Sequence, residues 1–136
     1  SSRNQERKMK MKTKNHILCE KEFKEAGFDV KIATDDGSRG FQGYVSELLE
    51  QQLSALSSLP VRQAGKLPAI YACGPKPMLK EICRISKKYD LPSQVSLEEH
   101  MACGIGACFG CVVDTKEGYK RVCKAGPVFK AQDLIW

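Results

Sequence analysis

Apolar positions along the chain recur with a helical period in some stretches and a strand period in others, and the two kinds alternate. In YVSELLEQQLSAL, Val45, Leu48, Leu49, Leu53 and Leu56 fall on one helical face, and Pro60 closes the run. PKPMLKEICRISKKYD repeats the pattern with Met78, Leu79, Ile82, Cys83 and Ile85, and Pro77 suits its first turn. HILCEKEFKEAG is a shorter case, with Leu18, Phe23 and Ala26 on one face and Gly27 as the stop. FDVKIAT instead alternates strictly at Phe28, Val30 and Ile32, which predicts a strand. LPAIYACG is a short unbroken apolar run after a turn, expected as a buried parallel strand. SQVSLEE reads as a further short strand. Beyond it the pattern changes to a glycine-rich loop, a strand CVVDT, a turn at KEG and a return strand YKRVC.

This alternation predicts an α/β fold with three parts. Residues 1–15 form a basic N-terminal segment, 16–92 a partial parallel-sheet domain, and 93–136 a small β-rich unit. An open α/β sheet normally starts with a strand. This chain starts with the basic segment and a helix, so its sheet is expected to lack a first strand. There is no internal repeat.

The composition, 42% hydrophobic and 28% charged, suits a soluble globular protein. No apolar run has the length of a membrane span and the N-terminus has no apolar signal core, so a cytoplasmic location without a membrane partner is expected. The net charge of +6 is concentrated: Arg3, Arg7, Lys8, Lys10, Lys12 and Lys14 against Glu6 supply five of those charges within residues 1–14. The rest of the chain is close to neutral, which argues for a solvated tail and against a nucleic-acid partner.

Seven cysteines is an odd number, and no secretory signal accompanies them, so metal or redox chemistry outranks a disulfide framework. Four of them stand in CGIGACFGC and RVC with the spacing C-x4-C-x2-C-x11-C. Iron–sulfur clusters of the ferredoxin type use such a loop with a fourth cysteine further on, which Cys103, Cys108, Cys111 and Cys123 match. Gly104, Gly106 and Gly110 let backbone amides bend toward sulfur, where N–H groups offset concentrated negative charge. Ile105, Phe109 and Met101 are expected to screen the site from water. Zinc is the competing reading, although structural zinc sites normally pair short cysteine knuckles; a zinc-stabilised interaction module would have no redox role.

Outside this motif, Cys83 and Cys19 read as buried thiols acting as small hydrophobes. Cys73 ends a predicted parallel strand just before GPKPM, at the carboxyl edge where open α/β sheets bind ligands; both a cofactor role and a plain structural one stay open. DDGSRGFQG holds ordinary turn residues but also follows a predicted strand, so the two loops are expected on one sheet rim. His16 and His100 read as surface or internally satisfied groups, His100 standing near enough to the cysteine loop to act from outside the ligand set.

Together, TDDGSRGFQGYV, YACGPKPML and SLEEHMACGIGACFGCVV with RVCKAGPVF resemble the electron-transfer subunits of class 1B dihydroorotate dehydrogenase. The resemblance covers roughly residues 16–136 and is most specific toward the C-terminus. It implies a flavin-binding barrel, a nicotinamide-binding domain of the ferredoxin-reductase type and a [2Fe–2S] domain. It also implies electron flow in pyrimidine biosynthesis from the FMN of a dihydroorotate-oxidising catalytic subunit, through the cluster, to FAD and NAD+, within a heterotetramer. By resemblance, Cys103, Cys108, Cys111 and Cys123 hold the cluster; Cys73, Gly74, Pro75 and Met78 approach the nicotinamide and flavin; and Asp35, Asp36, Gly37 and Ser38 form a nucleotide-side loop. No acid–base catalyst is expected.

The flavin barrel and the first strand and helix of the nicotinamide domain have no counterpart in these residues. SSRN resembles the end of that domain's second strand, followed by a divergent join. The expectation is a C-terminal part of a longer subunit or a truncated reading frame, not a complete catalyst, with the cluster as its only autonomous cofactor. Subunits of bifurcating NAD(P)H–ferredoxin transhydrogenases and sulfide dehydrogenases are similar through ACGPKPM but usually carry Asp where Cys103 stands. Cys103 therefore favours the dihydroorotate system.

Overall fold

A computed structural model describes residues 14–57 and 68–136. Most of the basic segment, the Pro60 stop and the Leu56 side chain lie outside the described residues. Two compact units divide the chain, Ser1–Ala55 and Leu56–Trp136. Among the described residues no helix is long and apolar enough to cross a membrane.

In the first unit, α1 (Glu20–Glu25) is shorter than the pattern predicts, and its apolar residues are not buried. Its end explains why. The Phe28 amide donates to the Phe23 carbonyl and the Gly27 amide to Lys24, the paired bonds of a glycine-terminated helix. The Phe23 and Phe28 rings pack edge to face at 5.8 Å over that turn. Phe28 therefore serves the helix end, and the strand expected over FDVKIAT shrinks to β1 (Ala33–Thr34). β1 pairs in parallel with β2 (Phe41–Gln42). The α2 helix (Val45–Ser57) then begins with the Glu47 carboxylate accepting from the Tyr44 amide at 2.8 Å, a side-chain cap on an N-terminal amide that has no helical partner.

The turn joining β1 to β2 is tight. Thr34 is fully buried, its hydroxyl donates to the Arg39 carbonyl at 2.9 Å, and its carbonyl accepts from Gly37 and Gly43. Gly40 has φ +72, and a Cβ there would collide with the Ile32 carbonyl. Gly40→Ala is expected to destabilise this unit by about 2–4 kcal/mol, from left-handed strain plus overpacking. Amide exchange over residues 33–43 measures it; unchanged protection would refute the tight-turn account.

In the second unit, β3 (Ile70–Cys73) pairs in parallel with β4 (Ser93–Ser96) across the connecting α3 (Lys76–Lys88). β4 also pairs antiparallel with β7 (Val128–Lys130), giving the order β3-β4-β7. A hairpin of β5 (Val112–Thr115) and β6 (Gly118–Arg121) forms a separate sheet, and a one-turn helix α4 (Val122–Ala125) follows it. α3 buries Leu79, Ile82, Cys83 and Ile85, as its periodicity predicts. Each large apolar side chain contributes about 1.5–3 kcal/mol by burial. Exposed pairs such as Arg84–Glu81 contribute about 1 kcal/mol at most, so packing holds this helix.

Two features differ from expectation. β3 is not buried on both faces, since Tyr71 and Cys73 face out while Ile70 and Ala72 turn inward. The return strand stops at Arg121, leaving Cys123 in α4. β4 and β7 from the C-terminal segment complete the sheet that β3 begins. The first strand of the segment 93–136 is thus hydrogen-bonded to the last strand of the segment before it.

Candidate metal centre

The four motif cysteines come from three local structures. Cys103 and Cys108 lie in the loop between β4 and β5, Cys111 immediately precedes β5, and Cys123 sits in α4. The hairpin register sets Val112 opposite Arg121. The chain then turns so that the Val122 amide donates to the Cys111 carbonyl at 3.0 Å and the Cys123 amide to the Cys111 sulfur at 3.5 Å. Cys111 is 2% exposed and belongs to the same core cluster as Leu79, Val95, Val113 and Val122. One edge of the site is thus part of the hydrophobic core.

Cys103 and Cys108 form the outer edge. The Cys108 amide donates to the Cys103 sulfur at 3.4 Å, and the Gly110 amide to the Cys108 sulfur at 3.5 Å. The Cys108 amide, then the Ile105 amide and the Cys108 thiol, bring the Cys103 thiol down to about 6, and the Ala107 amide adds to the effect. Cys111 is lowered in the same way, chiefly by the Cys123 amide. Cys123 is raised, first by its thiol contact with Cys111, then by burial and by the charge on Cys111. Inward amides therefore favour thiolate at one sulfur of each pair.

Among the described residues, no group of three or more His, Cys, Asp or Glu side chains is close enough to share one metal ion. The donors stand instead as two pairs, Cys103 with Cys108 and Cys111 with Cys123. A binuclear [2Fe–2S] cluster asks for two thiolates on each of two irons, and this donor set fits it better than a single tetrahedral zinc. Met101, Ile105 and Phe109, expected as a screen, are instead exposed around the loop. His100 is exposed as well.

Arg121 went unnoticed in the sequence, where it reads as one more basic residue on a strand. Its guanidinium donates to the Gly106 carbonyl and lies 5.3 Å from the centroid of the Phe109 ring. Gly106 itself is buried with φ +80 and rests against the Lys124 side chain.

The remaining candidates lie elsewhere. Asp35 and Asp36 form the turn after β1; Ser38 donates its amide to Asp36 at 2.9 Å, and its hydroxyl and amide hold the Asp36 carboxyl below the usual range. The Ser38 hydroxyl also accepts from the Lys14 amide. Gly37 precedes it in this exposed loop. Cys73 ends β3 with its thiol exposed, Gly74 and Pro75 lead into α3, and Met78 is partly buried against the core. β1 and β3 stand in different sheets. The GPKPM loop is tied to the cysteine loop instead, through a 2.5 Å ion pair from Lys76 to Glu99.

Residues 98–135 match the family model described as the iron–sulfur cluster binding domain of dihydroorotate dehydrogenase B. Similar proteins include the dihydroorotate dehydrogenase B (NAD(+)) electron transfer subunit of Caldanaerobacter subterraneus subsp. tengcongensis, 42% identical over 112 residues, covering 79% of this chain and 41% of that protein. The subunit of Desulforamulus reducens is 40% identical over 127 residues, covering 90% of this chain and 45% of that one. A probable subunit of the same kind from Methanocaldococcus jannaschii is 40% identical over 123 residues, covering 90% and 43%. Among solved structures, one titled as an NADH-dependent reduced ferredoxin-NADP oxidoreductase involved in flavin-based electron bifurcation matches 91% of this chain and 41% of that chain. Its TM-score is 0.71 and its identity 28%. The chain thus spans about two fifths of the length of the curated relatives it matches. Residues 98–135 therefore match the iron–sulfur cluster binding domain of the dihydroorotate dehydrogenase B family, and 79% to 90% of the chain is similar to electron transfer subunits of that enzyme.

Proposed function

We propose that this chain is an electron relay of a dihydroorotate dehydrogenase B system, with Cys103, Cys108, Cys111 and Cys123 holding a [2Fe–2S] cluster. The observation that carries the reading is the arrangement of four thiols in two amide-bonded pairs within a family-matched segment. When bound, such a cluster accepts and releases one electron at a time, and its redox chemistry belongs to the cofactor. The protein's residues supply position and environment. Cys111, buried in the core, fixes the site to the sheet-and-helix framework; the amides of Cys108, Gly110 and Cys123 point at sulfur and offset negative charge.

The partner in this proposal is the FMN-containing catalytic subunit that oxidises dihydroorotate, in a heterotetramer, with FAD and NAD+ receiving the electrons. Asp35, Asp36, Gly37 and Ser38, and Cys73, Gly74, Pro75 and Met78, are the proposed nucleotide and flavin contacts. Cys103, where related transhydrogenase subunits usually carry Asp, favours this system over theirs.

Iron, acid-labile sulfide and zinc on the anaerobically reconstituted chain test the proposal, with EPR after dithionite reduction. Two irons and two sulfides per chain with a rhombic signal are expected. The 136-residue chain is also expected to hold no stoichiometric FAD. Zinc without sulfide would replace the relay with an interaction module.

A further inference from the structure

The loop bearing Cys103 and Cys108 is held at its middle by the Arg121 side chain. Arg121 ends β6, half-buried, two residues before Cys123. Its guanidinium donates to the Gly106 carbonyl while lying over the Phe109 ring at 5.3 Å. One planar group therefore grips the loop at both sides of Cys108.

The grip acts on a peptide that faces the sulfurs. In a trans peptide the carbonyl and the following N–H point in opposite directions. With the Gly106 carbonyl drawn outward onto Arg121, the Ala107 N–H of the same peptide points away from the guanidinium, and the next amide, that of Cys108, donates to the Cys103 sulfur at 3.4 Å. A cation on the carbonyl also polarises the peptide, which strengthens the bond made by its N–H. Lys124 lies against Gly106 too, through its aliphatic stem.

We propose that Arg121 is a positioning residue for the cysteine loop: by holding the Gly106 carbonyl it fixes the stretch in which the Cys108 amide donates to the Cys103 sulfur, and so raises the reduction potential of the bound cluster. This rests on the cluster reading above. Hydrogen bonds to sulfur and nearby positive charge both favour the reduced, more negative form. The stack on Phe109 keeps the guanidinium plane in place, a geometry that lysine does not reproduce.

A mediated redox titration of the reconstituted chain tests this, alongside Arg121→Gln, Arg121→Lys and Lys124→Gln, each assayed first for iron and sulfide. Arg121→Gln is expected to keep the wild-type iron and sulfide but to show a reduced-to-oxidised ratio about tenfold lower at a fixed potential, a fall of about 59 mV for a one-electron couple. Arg121→Lys should recover part of that shift, and Lys124→Gln should move the potential far less. An unchanged potential in Arg121→Gln, or an equal shift in Lys124→Gln, overturns the role of Arg121 and leaves the cluster reading standing. Wild-type chain without iron and sulfide sinks the cluster reading itself, and the redox part of this proposal with it. If Arg121→Gln alone fails to hold iron, amide exchange on the metal-free chains decides. Cys108 exchanging about tenfold faster in the variant, with Val113 unchanged, supports the loop mechanism. Equal Cys108 rates overturn it.

Discussion

Cys111→Ser is expected to abolish iron and sulfide retention, while Cys83→Ser keeps both. The two thiols are alike in exposure, each 2% accessible, and both belong to the same apolar cluster. Their surroundings differ. Cys111 has the Cys123 amide on its sulfur and the Cys123 thiol beside it, which draws it toward thiolate. Burial pushes the Cys83 thiol up, keeping it a neutral small hydrophobe on the inner face of α3. A hydroxyl at 111 stays protonated at neutral pH and is a poor ligand for iron, so the proposed cluster would be left with three of its four thiolate donors. At position 83 the same change buries a hydroxyl, which costs about 1–3 kcal/mol and leaves the donor pairs untouched. Iron and sulfide per chain, measured after identical reconstitution, separates the cases. Full iron in Cys111→Ser would remove that residue from the ligand set.

Leu79→Ala is expected to lower stability by about 3 kcal/mol, within the roughly 2–5 kcal/mol range of such truncations. Leu79 is 1% exposed and packs in the cluster that includes Cys111, Val113 and Val122, so the cavity opens beside one of the candidate donors. The loss is large against a net stability of about 5–15 kcal/mol for an ordinary domain. Urea unfolding of the metal-free chain measures it without metal loss entering the transition. A second consequence follows from shared packing: reconstituted Leu79→Ala should lose iron to a chelator faster than wild type. A change below about 1 kcal/mol would mean that the site can collapse and that α3 does not brace the cysteines.

The long helices were legible because their signal is local and repeated. Each turn of α3 places an apolar residue on the inner face, and the structure buries Leu79, Ile82, Cys83 and Ile85 there. FDVKIAT misled because its alternation is only three residues deep, and Phe28 had a stronger use across the turn from Phe23. β7 and α4 were missed for a related reason: three or four residues carry too little pattern, and their pairing partners are distant in sequence. The exposed face of β3 was likewise unreadable, since a short apolar run does not reveal how many of its sides are covered.

By itself the sequence determined the donor chemistry. Four thiols at C-x4-C-x2-C-x11-C, with glycines between them, state which atoms are available and that the loop can bend around them. Only the tertiary structure decided how they are grouped and braced. Cys111 and Cys123 become a pair because the β5–β6 register and the turn into α4 return the chain to its own starting point. Arg121 acquires a role because the same register carries it to the Gly106 carbonyl, across 15 residues of chain. The reason is physical: ligand identity is a property of side chains, whereas pairing, burial and amide direction depend on hydrogen bonds between segments that no local pattern connects.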